Sequence, residues 1–161
     1  MNICEDNDGN IFVSFEHTDE AMLTENPLLT HCLAIVKLDS DYLLGWNKWR
    51  GRYEIFGGCI EKEETARECI VRECGEELGL CGIEPEYLGA MKFLMKPDYF
   101  SPKERTEYGG LYGITLHGMS VSDIYEQIKD KEEIVKLGLY SQIKGIEPIA
   151  EIDEKLLEYY A

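Results

Sequence analysis

The chain has 161 residues, with 16 basic against 32 acidic side chains and a net charge of −16. That length suits one compact domain, residues 1–161, with room for a sizeable core, and the negative charge argues against nonspecific binding to nucleic-acid polymers or anionic membranes. The N-terminal Met1-Asn-Ile-Cys-Glu-Asp-Asn-Asp8 is acidic and has no apolar run, and no segment approaches the ~18 apolar residues of a membrane span. We therefore expect a soluble, cytoplasmic protein.

In chain order, Ile11 to Phe15 alternates about Val13 and reads as a short strand. His31 to Leu38 and Tyr42 to Trp46 are apolar runs joined by Asp39-Ser40-Asp41, a hairpin-like turn. Residues 64 to 78 read as a helix closed by Gly79, followed by strands over Tyr87 to Met95 and Leu111 to His117. Val121 to Asp130 is predicted as a helix and Ile134 to Tyr140 as a strand. Asp153 to Tyr160 is predicted as a terminal amphipathic helix that Asp153 caps. This alternation fits a mixed sheet with helices on both faces.

The helix over 64–78 carries the chemistry. At about 100° per residue, Ala66, Cys69, Ile70, Cys74 and Leu78 form one arc. Glu73 and Glu77 fall inside that apolar arc and Glu76 at its border. Two unit charges about 4 Å apart repel by roughly 4 kcal/mol at an effective dielectric near 20, so a positive partner is required. Lysines or arginines could neutralise the cluster, or the glutamates could rim a solvated edge. The alternative is Mg²⁺ or Mn²⁺, hard cations that favour carboxylate oxygens.

The spacing resembles a known family. Gly58, five residues, Glu64, seven residues, then Arg72-Glu73-Cys74-Gly75-Glu76-Glu77-Leu78-Gly79-Leu80 is similar to the Nudix hydrolase signature, with every fixed polar and glycine position matched. Cys74 stands where the family usually has an aliphatic residue, a mild change because a small buried thiol behaves as a hydrophobe. Upstream, Tyr53-Glu54-Ile55-Phe56-Gly57-Gly58 resembles the family's lead-in with Phe56 in place of proline.

The resemblance implies an α/β/α sandwich and hydrolysis of a nucleoside diphosphate linked to another moiety, by attack of water on phosphorus. It implies Mg²⁺ or Mn²⁺ held by Glu73, Glu76 and Glu77 with help from backbone carbonyls near Gly57 and Gly58. Arg72 would orient the carboxylates, and Glu64 would serve mainly as a charge at the helix N-terminus. A glutamate must accept the proton; Glu76 comes first, then Glu133 or Glu107. The implied partner is a nucleotide-type small molecule rather than a nucleic-acid polymer or membrane, bound by a monomer or homodimer. The rival reading is a Nudix-fold nucleotide-sensing or regulatory module without catalysis, although such members often lack part of the carboxylate set. A pyrophosphate-isomerising relative usually departs from the full signature.

Two further groups of residues stand out. Trp46-Asn-Lys-Trp49-Arg50-Gly-Arg52-Tyr53 concentrates cations and aromatics in an acidic chain; Trp46 or Trp49 could stack a base, and Lys48, Arg50 or Arg52 could hold phosphates. A solvated loop with one aromatic anchored in the core is the plainer alternative. Lys96 to Tyr108 is a second candidate rim. The six cysteines form no close Cys-x-x-Cys pair, so reduced, mostly buried thiols are expected.

Overall fold

The computed structural model describes residues 1–161. Its strands are β1 (Cys4–Glu5), β2 (Ile11–Glu16), β3 (Leu29–Leu38), β4 (Asp41–Asn47), β5 (Arg52–Glu54), β6 (Phe56–Cys59), β7 (Glu86–Met95), β8 (Arg105–Leu116) and β9 (Leu137–Leu139). Its helices are α1 (Ala66–Leu78), α2 (Val121–Gln127), α3 (Tyr140–Ile143) and α4 (Glu151–Leu156), with short 3₁₀ turns at Glu20–Glu25 and Leu157–Tyr159.

One mixed sheet runs β1-β2-β7-β8-β3-β4-β5. β3 lies at its centre, parallel to β8 on one edge. On its other edge two strands share its length: β6 pairs with His31 to Ala34, and β4 with Val36 to Leu38. β4 then diverges to pair with β5 and β9, so the sheet forks. Ile55 is the residue at which the chain crosses from the β4–β5 branch to β6.

Two apolar clusters cover the two faces. Cys32, Ala34, Val36 and Phe56 join Cys69, Ile70, Cys74 and Leu78 of α1 and Ile124 of α2 on one face. Ile35, Leu44, Phe93 and Leu111 meet Ile152 and Leu156 of α4 on the other. The architecture is thus an α/β/α sandwich. Phe56, at the position where the resemblance places proline, is fully buried and pairs with Ala34, so the aromatic fills the core beneath α1.

Several elements differ from the sequence reading. α1 starts at Ala66 because Thr65 caps it: the Thr65 hydroxyl accepts the Glu68 amide while the Glu68 carboxylate accepts that of Thr65. Gly79, left-handed at φ 67°, closes it. α2 stops at Gln127, as the Ile128 amide turns to the Tyr125 carbonyl and Ile128 is drawn into the core. The strand predicted over Ile134 to Tyr140 shrinks to Leu137–Leu139. Ile134 instead tucks against Gly45, and Tyr140 opens α3.

Asp153 is not a cap. α4 begins two residues earlier, because Ala150 donates to the Tyr53 carbonyl and fixes the helix entry, and the Asp153 carboxylate accepts the Ile55 amide instead. Trp46 to Tyr53 is not an open loop but the end of β4, a tight turn and the start of β5, with Trp46 opposite Tyr53. β1, β5, β6 and α3 are too short to carry a periodic signal. All six cysteines are free, and half of them, Cys32, Cys69 and Cys74, are buried. No helix is long and apolar enough to cross a membrane.

Candidate functional site

Glu73 and Glu77 are the only charged residues buried in the protein, at 9% and 7% exposure. α1 carries both on its inner face, directly under β6. The Glu77 carboxylate accepts the Gly57 amide at 2.8 Å and makes no ion pair. Burial, aided by the charges of Glu73, Glu133 and Glu54 and opposed by the Gly57 amide, pushes its carboxyl well above the ordinary range. Glu73 lies against Gly58, where any Cβ would overlap its carboxylate; only glycine admits the side chain there.

Arg72 binds this cluster together. Its Nε and Nη2 donate to Glu64 at 2.7 and 2.9 Å in a two-pronged contact, Nη1 donates to Glu73 at 2.9 Å and Glu76 at 3.3 Å, and Nη2 reaches the Cys59 carbonyl at 3.1 Å. Arg72 therefore ties the carboxylates of α1 to Glu64 and to the β6 backbone, and Glu64 is more than a helix-end charge. Glu64 precedes the cap, accepts the Glu61 amide at 3.0 Å, and is held down to about 2 chiefly by the Arg72 hydrogen bonds.

Glu76 stands apart. Its side chain is 56% exposed and touches only Arg72 among the cations. As placed, no three His, Cys, Asp or Glu side chains converge closely enough to hold a metal ion. The donor chemistry nevertheless fits a hard divalent cation: Glu77 is a buried carboxylate with no cationic partner, and Glu73 and Glu133 add negative charge beside it.

A cleft of about 890 Å³ opens in the fork of the sheet. Gly57, Glu77, Glu133, Glu54, Trp49 and Asp153 are among the residues that line it. Arg50 and Arg52 line it too, yet both are engaged by one carboxylate: Arg50 Nη1 donates to Glu54 Oε1 at 2.8 Å and Arg52 Nε to Glu54 Oε2 at 3.0 Å. Trp49 is 70% exposed at the rim, with Lys48 over its ring at 5.1 Å. Trp46 is not in the cleft wall; it packs edge-on against Tyr53 at 5.0 Å beneath Lys136.

Glu133 reaches the cleft and Glu76 does not. Desolvation first, then Glu73, Asp130 and Glu76, raise the Glu133 carboxyl. Glu107 lies on β8, bonded to Arg105 at 3.3 Å and outside the cleft lining. From the second rim only Lys96, Pro97 and Asp98 contribute, and Lys96 is paired with Glu104. Asp153, which the sequence pattern reads as a cap, lines the cleft as well.

The NUDIX domain family matches residues 31–158 of the sequence. The chain belongs to the Nudix family. By family it is a hydrolase of phosphoric anhydride bonds. Among solved structures, a Glu-to-Ala mutant of the Bacillus subtilis pyrophosphohydrolase BsRppH is similar at 21% identity and a TM-score of 0.70, over 99% of this chain and 93% of that one. The MutT NUDIX hydrolase from Burkholderia pseudomallei is similar at 18% identity and 0.62, over 81% and 96%. A NUDIX hydrolase from Nitrosomonas europaea is similar at 19% and 0.60, over 84% and 88%. These likenesses concern the fold. No curated protein matches the sequence.

Proposed function

We propose that this Nudix protein hydrolyses a nucleoside diphosphate linked to another moiety, such as a nucleoside triphosphate, with Mg²⁺ or Mn²⁺ bound at α1. The observation that carries the reading is the pair of buried glutamates under a glycine strand, one of them without any cation to balance it. Glu73, Glu76 and Glu77, with the Gly58 carbonyl, are the groups we assign to the ions. When bound, such ions lower the pKa of water and neutralise charge on nonbridging phosphate oxygens.

The chain's own residues position and exchange protons. Arg72 fixes Glu73 through Glu64 and the Cys59 carbonyl, so that the carboxylate faces Gly58. Glu133 lines the cleft and Glu76 does not, which favours Glu133 over Glu76 as the acceptor of the proton from the attacking water. Trp49 offers a stacking face at the rim, where Arg50 and Arg52 are held by Glu54. The Nudix family acts on nucleotide-type small substrates, and that class is the one we assign here.

A nucleotide panel incubated with Mg²⁺ in ¹⁸O-water, with products resolved by ³¹P NMR, tests the reading. One ¹⁸O in a phosphate product and release of a nucleotide half are expected. Binding without turnover of any member would favour the sensing module instead.

A further inference from the structure

The cleft has a second carboxyl wall that hydrolysis does not use. Asp153 Oδ2 accepts the Ile55 amide at 2.9 Å, and Oδ1 has no partner in the protein while the residue lines the cleft. Two residues back on the same helix, Glu151 is also among the residues of the cleft, and its Oε2 is buried with no hydrogen-bond partner. An unpaired buried carboxylate oxygen costs on the order of 1–3 kcal/mol or more, so this wall is built for hydrogen-bond donors. Leu33, Ile55, Phe93, Met95 and Ile152 supply apolar surface around it.

This wall is the wrong place for phosphate. Asp153, Glu151 and Glu54 crowd it with negative charge, and the nearby cations Arg50 and Arg52 are already held by Glu54. A ligand that enters with its phosphates toward Glu77 therefore presents its other end here. A carboxylate is an acceptor only, with two oxygens side by side. The ligand edge that satisfies it carries two adjacent N–H donors. Adenine and cytosine each set one amino donor beside a ring-nitrogen acceptor, and uracil flanks its single N–H with carbonyls. Guanine alone among the common bases places a ring N–H next to an amino group.

We propose that Asp153 is the specificity determinant of the cleft and selects a guanine nucleotide by accepting the ring N–H and the amino group together. The inference rests on the nucleotide-hydrolase reading for the orientation of the ligand. Oδ2 can accept the Ile55 amide and a guanine donor at once, because a carboxylate offers about four acceptor positions. Burial holds the Asp153 carboxyl up at about 7, opposed by the Ile55 amide and by Arg52 and Arg50, with Glu54 adding to the rise. Two donors from a base favour its ionised form.

The test compares kcat/KM for guanosine, inosine and adenosine triphosphates in wild type and Asp153→Asn. Inosine lacks only the amino group. Asparagine keeps an oxygen for the Ile55 amide, so the fold is retained, and circular dichroism with a melting curve checks it. Wild type is expected to lose about three- to tenfold for each donor removed, since a bidentate pair discriminates by about ten- to a hundredfold. In Asp153→Asn the guanosine-to-inosine ratio is expected to fall close to one. Equal use of all three substrates by wild type, or an equal loss on all three in the variant, overturns the proposal. If no triphosphate is turned over, the hydrolase reading fails separately. Calorimetric binding of GMP against IMP to the two proteins then decides the base preference, with equal affinities overturning it.

Discussion

Glu77 and Asp153 reach one stretch of chain from opposite faces of the sheet: Glu77, on α1, accepts the Gly57 amide at 2.8 Å, and Asp153, on α4, accepts the Ile55 amide at 2.9 Å. Those amides are two residues apart, about 7 Å along an extended chain. They lack ladder partners because the sheet forks at Ile55. The fork thus opens the cleft and aims a carboxyl from each helix layer into it.

Glu77→Gln is expected to stabilise the metal-free protein above neutral pH. A carboxyl raised by burial contributes stability that is lost as pH rises through its folded value, and the amide removes that loss. The same variant should blunt the melting-temperature gain on adding Mg²⁺, about 2.7 kcal/mol in wild type at one hundred times the dissociation constant. Differential scanning fluorimetry with and without Mg²⁺ reads both effects.

Asp153 gives a pH signature of its own. Its folded value of about 7 lies above the ordinary aspartate value of about 3.9. The associated stability is complete below about pH 4 and lost as pH rises through 7. Asp153→Asn should therefore raise the melting temperature at pH 8 and leave it little changed at pH 4, by an effect on the order of a few kcal/mol. Equal shifts at the two pH values would contradict the burial account.

Glu64 has the opposite sign. Held at about 2 by Arg72, it contributes stability present above about pH 4.3 and lost as pH falls through 2. Glu64→Gln should flatten the acid limb of the stability profile. It should also lower kcat more than it raises KM, because Arg72 then loses the anchor that fixes Glu73.

Gly58→Ala separates scaffold from chemistry. The added methyl meets the end of the Glu73 side chain rather than backbone, so the fold should survive while the carboxylate is displaced. We expect a loss of kcat of about 10²-fold or more with a melting temperature close to wild type. Trp49→Ala should change KM with little effect on stability, whereas Trp46→Ala should destabilise, since Trp46 packs on Tyr53 and not in the cleft.

α1 was legible because Glu73 and Glu77 violate its apolar arc, and burial of both bears out that arc. The same signal was present in α4. Asp153 follows Ile149 by four positions and precedes Leu156 and Leu157 by three and four, so it too interrupts an apolar face, yet its place near the helix start reads equally as a cap. β6 was not legible, because Phe-Gly-Gly-Cys reads as a turn; it becomes a strand only because half of one edge of β3 is left open for it. The pairing of Arg50 and Arg52 with Glu54 likewise depends on β5, whose three residues carry no periodicity. Glu133 enters the cleft through a tertiary contact, the packing of Ile134 against Gly45, that local pattern does not encode.

The most direct test of the central claim is turnover of a guanosine triphosphate substrate as a function of Mg²⁺ for wild type and Glu73→Gln. We predict no turnover in excess chelator, saturation as Mg²⁺ is restored, and a maximal rate in Glu73→Gln lower by about 10²-fold or more with its fold intact. Full turnover in chelator, or a Glu73→Gln variant that matches wild type at every Mg²⁺ concentration, would contradict the assignment of the chemistry to α1.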